Sequence, residues 1–137
     1  MNDFVSLVPS GHSKPIGRYS AGVCCAIEPG DTLIHISGQV STDQDGRLLC
    51  PGDPGGQAKV VFQRLKDTLA AADANLEDLI SVTVFISDPD HFSAVSKVRD
   101  KVFSKHAPAS TLVVAKMIES GCLLEINGVA VKRGNLI

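Results

Sequence analysis

Two apolar periodicities alternate along this chain, and their order constrains the fold more than any other feature. Residues 79–87 carry Ile80, Val82, Val84 and Ile86 on one face and Ser81 and Thr83 on the other, which predicts a strand. Residues 111–116 and 123–131 are apolar runs of strand-suited residues and predict two more strands, separated by a short turn around Glu119-Ser120-Gly121. Between the strand runs, residues 57–74 repeat apolar side chains at Val61, Leu65, Leu69 and Ala72, the stripe of a helix with charged residues around the rest. Asp88 followed by Pro89 predicts the cap and first turn of a second helix, which carries Phe92, Val95, Val98, Val102 and Phe103 and is ended by Pro108. Upstream, runs 23–27 and 32–40 flank Glu28-Pro29-Gly30-Asp31 and predict a hairpin. Its second strand sets Ile34 and Ile36 against a polar face of His35 and Ser37. The stretch 41–56, rich in Gly, Asp and Pro, predicts a long loop.

Strand, strand, helix, strand, helix, strand, strand describes an α/β (α+β) chain with one mixed sheet. The 137 residues suit a single domain over residues 1–137, with one mostly aliphatic core. With both helices on one sheet face, the other face still carries Leu, Ile and Val and has nothing left in the chain to cover it. A homo-oligomer is the natural solution.

Charge and cysteine content narrow the function classes. A net charge of −2, without a cluster of Lys and Arg, gives no pull towards phosphate backbones, so nucleic acid is not an expected partner. Cys24, Cys25, Cys50 and Cys122 show neither C-x-x-C spacing nor a paired His motif, so no metal or other cofactor is expected. Core packing is the expected role of the adjacent Cys24 and Cys25, and also of Cys122, which has no cation beside it in sequence. No signal-peptide stretch opens the chain and no apolar run is long enough to span a membrane, which points to a cytoplasmic protein with reduced thiols.

One residue breaks the apolar pattern in a telling place. Glu125 stands inside the run Leu123-Leu124-Glu125-Ile126-Asn127-Gly128-Val129-Ala130-Val131. It is read either as a strand-end glutamate paired to a lysine or as a shielded carboxylate, and a shielded carboxylate can orient water and pass protons.

The segments Pro15-Ile16-Gly17-Arg18-Tyr19-Ser20, Ile36-Ser37-Gly38-Gln39, Gly52-Asp53 with Gln57, and Leu124-Glu125-Ile126 follow one another in a familiar order. Together they resemble the RidA (YjgF/YER057c) family of enamine and imine deaminases, over roughly residues 13–132. The resemblance implies a chorismate-mutase-like fold assembled as a homotrimer, with sites in clefts between subunits. It further implies that Glu125 positions the water that attacks a C=N carbon, releasing ammonia from a small-molecule substrate. In the family an arginine in a Pro-Ala-Arg-Ser/Thr motif grips the substrate carboxylate.

This chain departs from the pattern at that arginine, reading Ala107-Pro108-Ala109-Ser110-Thr111. The family's Val-Asn-x-x-Tyr helix motif is also changed, to Val95-Ser96-Lys97-Val98-Arg99. Either another cation takes the role, with Arg18, Arg99, Lys105 and His106 as candidates, or the ligand carries no carboxylate at that point. Glu125 is thus the expected catalytic residue, and Tyr19, Gly38, Ser37, Arg18, Arg99 and Ser110 are the expected substrate-binding residues. A hydrolytic deaminase is the leading reading, a trimer that binds a ligand without turning it over is the alternative, and RNA cleavage is disfavoured by charge.

Overall fold

The computed structural model describes residues 3–15 and 17–134. Ile16 of the Pro15–Ser20 motif and the two ends of the expected 1–137 domain lie outside the described residues. In chain order the elements are β1 (Val5–Leu7), β2 (Gly22–Cys24), β3 (Thr32–Gln39), α1 (Pro54–Ala70), β4 (Leu79–Ile86), α2 (Phe92–Val102), β5 (Ala109–Val114) and β6 (Leu124–Lys132). Single turns of 3-10 helix over Leu76–Asp78 and Pro89–His91 lead into β4 and α2.

The main sheet has the order β3-β6-β4-β5, with β6 antiparallel to both neighbours and β4 parallel to β5. It is therefore mixed, as the element order predicts. Both helices cover one face, where Val61, Phe62, Leu65 and Leu69 of α1 and Val95 of α2 bury against Val82, Val84, Ile86, Leu124 and Ile126. Phe62 meets Phe103 edge to face, with ring centres 5.6 Å apart, and closes the core below α2.

The predicted hairpin does not form. β2 pairs with β1 in a separate two-stranded sheet, and β3 pairs with β6 instead. The turn at Glu28–Asp31 is real, since the Asp31 N–H donates to the Glu28 carbonyl at 3.1 Å, but the chain leaves it towards different partners. Helix α1 starts at Pro54 rather than Gln57, because the Asp53 side chain accepts the Gly56 N–H at 2.9 Å and Pro54 suits the first turn. It ends at Ala70, short of Ala74. Helix α2 ends at Val102, before Pro108 acts. A register shift between Leu79 and Ser81 turns Ile80 off the core face and puts Leu79 there instead. Cys24 is exposed and Cys25 half-buried, against the core packing expected of them, because β2 belongs to the outlying hairpin and not to the main sheet; Cys122 is buried as expected.

The uncovered sheet face is less apolar than expected. It pairs Phe85 with Glu125, Thr83 with Asn127 and Ser81 with Val129, while Leu33 and Val113 stay exposed. Glu125 therefore stands on the side away from the helices.

Candidate functional site

Two separate clusters contain most of the residues singled out from the sequence. The first lies under α2. Residues Val95, Arg99 and Val102 follow the spacing of one helix face, so Arg99 turns inwards and is only 3% exposed. Its Nε donates to the Asp100 carboxylate at 3.3 Å, and its guanidinium carbon lies 5.6 Å from the centre of the Tyr19 ring. A side chain at Gly17 would overlap Arg99 Nη2, so the close approach requires the glycine.

Tyr19 is held from both sides in sequence. Its N–H donates to the Gly17 carbonyl at 3.0 Å, while the next residue, Ser20, donates its N–H to the Pro108 carbonyl at 3.0 Å and its hydroxyl to the Ala107 carbonyl at 2.6 Å. Tyr19, Phe92, Arg99, Ser110 and Leu112 line a cavity of about 150 Å³. The hydroxyls of Ser96 and Ser110 are buried without a partner among the described residues. An orphaned polar atom of that kind in a cavity wall is a place where a ligand atom can bind.

The second cluster is built around Glu125. On β3 the register jumps between Ile36 and Gln39, so Ser37 and Gly38 form a bulge beside the partner strand. A Cβ on Gly38 would stand 2.7 Å from the Glu125 carboxyl carbon, which shows that the side chain lies flat on the Gly38 backbone. Phe85, Ala115, Lys116, Met117, Ile118 and Glu125 line a cavity of about 240 Å³ there. Lys116 borders it, yet Glu125 makes no ion pair among the described residues, so the lysine-paired reading of this glutamate does not hold. Burial, then the charge and hydrogen bond of Glu119, push the Cys122 thiol up, which keeps it a protonated, unreactive neighbour.

Strand geometry keeps the clusters apart within one chain. Ser110 sits opposite Val82 and faces the helices, whereas Glu125 sits opposite Phe85 and faces away. Tyr19, Arg99 and Ser110 come together; Gly38 and Glu125 come together; Ser37 is exposed next to Gly38. Arg18 belongs to neither group. Its Nε and Nη2 donate to the carbonyls of Phe103 and Ser104 just past the end of α2, where a cation satisfies free carbonyl groups. Nor does His106 reach the cavity under α2, since its ring bonds the Leu79 carbonyl. Phe85, Phe92 and Leu112 were not singled out from sequence: Phe92 and Leu112 belong to apolar runs, while Phe85 is an aromatic on the otherwise polar face of its strand, beside Ser81 and Thr83. Among the described residues no three His, Cys, Asp or Glu side chains gather to hold a metal ion, and no helix is long and apolar enough to cross a membrane.

A single mixed sheet backed by two helices, with polar clusters on both faces, defines a class of small α+β domain. A family model described as endoribonuclease L-PSP matches residues 11–132, and the chain belongs to that family, which includes the Rid, RutC and YjgF/YER057c/UK114 proteins. The RutC family protein UK114 of Drosophila melanogaster is 32% identical over 118 residues, covering 86% of this chain and 82% of that one. A RutC family protein of Pyrococcus horikoshii is 34% identical over 119 residues, 87% of this chain and 90% of its own. Among solved structures, a Rid family protein of Yersinia pestis superposes with a TM-score of 0.82 at 20% identity, over 94% of this chain and 98% of that one, a likeness of fold. A Thermotoga maritima protein described as a candidate endoribonuclease gives 0.70 at 30% identity, over 95% of this chain and 98% of that one.

Proposed function

We propose that this chain is a hydrolytic deaminase of imines or enamines, acting as a cytoplasmic homotrimer without a cofactor. The observation that carries the reading is Glu125: a half-buried carboxylate, laid against Gly38 in an open depression and committed to no ion pair among the described residues. Such a group holds a water and moves protons. Water adds its oxygen to the C=N carbon as Glu125 takes its proton. The same carboxyl returns that proton to nitrogen, giving a carbinolamine. It then takes the proton of the new hydroxyl and passes it to the amino group, so the C=O bond forms as the C–N bond breaks and ammonia leaves a ketone behind. Because the Arg99 and Glu125 clusters face opposite sides of one sheet, a complete site needs Glu125 of one copy against Arg99 of the next. That requirement supports an assembly with its sites in clefts between subunits.

The test follows ammonia from 2-imino acids made in situ by an amino-acid oxidase. Glu125→Gln keeps the shape and removes the base, so release should fall by ~10²–10⁴-fold. Unchanged release in that variant, or full activity in a species that sediments as a monomer, overturns the reading. A second reading has one observation behind it: no arginine stands in Ala107–Thr111, where the family's carboxylate-binding residue is expected. On that reading the trimer binds its ligand and does not turn it over, and ligand raises the melting temperature while no ammonia forms. Net charge of −2 weighs against RNA as substrate.

A further inference from the structure

We propose that Arg99 is the carboxylate-binding residue of this chain, and that the cavity it shares with Tyr19 and Ser110 takes the carboxylate end of a small acid. The inference deepens the deaminase reading by naming the substrate class, and as a catalytic proposal it rests on that reading.

A guanidinium taken out of water needs hydrogen-bond acceptors for its donors. Arg99 is 3% exposed, yet its one ion pair is a 3.3 Å contact from Nε to Asp100, whose side chain is 42% exposed. Asp100 is also shared, since the same carboxylate oxygen accepts the Arg18 N–H at 3.1 Å. The two terminal nitrogens of Arg99 donate to no acceptor among the described residues. They form the half of the guanidinium that matches a carboxylate in two parallel bonds.

The surroundings supply the rest of a carboxylate site. The Ser110 hydroxyl lines the same cavity, is buried and has no partner. It can donate to the second lone pair of a bound carboxylate oxygen. The Tyr19 ring centre lies 5.6 Å from the guanidinium carbon, while Gly17 leaves the backbone clear of Nη2. Phe92 and Leu112 form apolar walls. At about 150 Å³ the cavity has room for a short acid.

Of the cations open to this role, only Arg99 meets these conditions. Arg18 is committed to the carbonyls past α2, His106 to Leu79, and Lys105 is exposed and lines a different depression, beside Lys66 and Asn75. The acid is thus gripped from the helix, at a position where the sequence resemblance places a tyrosine, and not from the start of β5.

The experiment measures binding of pyruvate and of its neutral counterpart pyruvamide to the whole protein by calorimetry, with ammonia release followed in parallel. In Arg99→Met pyruvate should bind ~10²-fold or more weakly, with pyruvamide unchanged, because only the charged ligand uses the fork. In ammonia release the loss should fall mainly on KM. Arg99→Lys keeps charge and length but loses the fork, and should weaken pyruvate at least ~10-fold; it carries the test should the Met variant not fold. Wild-type pyruvate affinity in either folded variant, equal losses for pyruvate and pyruvamide, or loss of pyruvate binding in Arg18→Ala with retention in Arg99→Met overturns the assignment. A wild-type protein that forms no ammonia but loses pyruvate binding in Arg99→Met sinks the deaminase reading and leaves Arg99 as the anion site. Ammonia release that depends on Glu125 and not on Arg99 does the reverse.

Discussion

Gly38→Ala separates the chemistry of Glu125 from the stability of the fold. An added Cβ would stand 2.7 Å from the Glu125 carboxyl carbon and 2.9 Å from its Cγ. Ordinary carbon contacts lie near ~3.7 Å, so the end of the Glu125 side chain must retreat by about 1 Å. The atoms in the way belong to a flexible side chain, and Gly38 has no left-handed φ for alanine to violate. The fold therefore accommodates the methyl. Replacing a glycine where the backbone permits it stabilises by ~0.4–1 kcal/mol through the unfolded chain. A reacting group displaced by ~1 Å loses about 10²-fold in rate, or ~2.7 kcal/mol of barrier. The variant should melt at or slightly above the wild-type temperature by calorimetry while ammonia release drops about a hundredfold. Wild-type turnover would refute the claim that the carboxylate must rest on Gly38. So would a loss of activity that tracks a matching loss of stability.

Two further outcomes concern the frame around the site. Gln57 is fully buried; its Oε1 accepts the Leu123 N–H at 2.8 Å, and its Nε2 donates to the carbonyls of Cys50 and Gly121 at 3.2 and 3.1 Å. Gln57→Met keeps the bulk and strands all three groups, so it should destabilise by ~2–4 kcal/mol and lower the melting temperature by roughly 10 °C; a shift under ~3 °C would contradict this. At the opposite end, the N–H groups of Glu28 and Gly134, with Arg133 beside them, hold the Asp31 carboxyl below 3.8, while Arg133 does the same for Asp3. The unfolded chain then binds protons first as pH falls. This contribution is whole above pH 3.8 and disappears as acid carries the protein through the lower folded values. Asp31→Asn should flatten the acid limb of a melting-temperature profile, and an unchanged limb would rule out the network as its source.

What the sequence disclosed follows from the range of the forces involved. Helices α1 and α2 and strands β4 and β6 declare themselves through periods of 3.6 and 2, because each reflects one shared neighbour, the core. Pairing partners are not encoded that way. The run before Glu28 suits any edge, and its choice of β1 over β3 depends on contacts far along the chain. The bulge that exchanges Ile80 for Leu79 shifts the phase of alternation by one residue, which no alternation pattern can announce. Asp53-Pro54-Gly55-Gly56 read as loop because of its glycines, although Asp before Pro is a helix-start signal. Glu125 was legible as a charge in an apolar run. Arg99 was legible in a weaker way, as a charge four residues after Val95 on the inward stripe. Its separation from Arg18 in role was not, since that depends on which carbonyls the end of α2 leaves free.

The position of β6 has a mechanical consequence. It is bonded along both edges, to β3 and β4, whereas β3 is an outer strand of the main sheet. Amides at Glu125 should resist solvent exchange until the whole sheet lets go, while those of the bulge at Ser37 and Gly38 exchange through small, frequent openings. The acid thus has a stationary mount and the glycine beneath it a yielding one, so any thermal play in their contact originates on the glycine side.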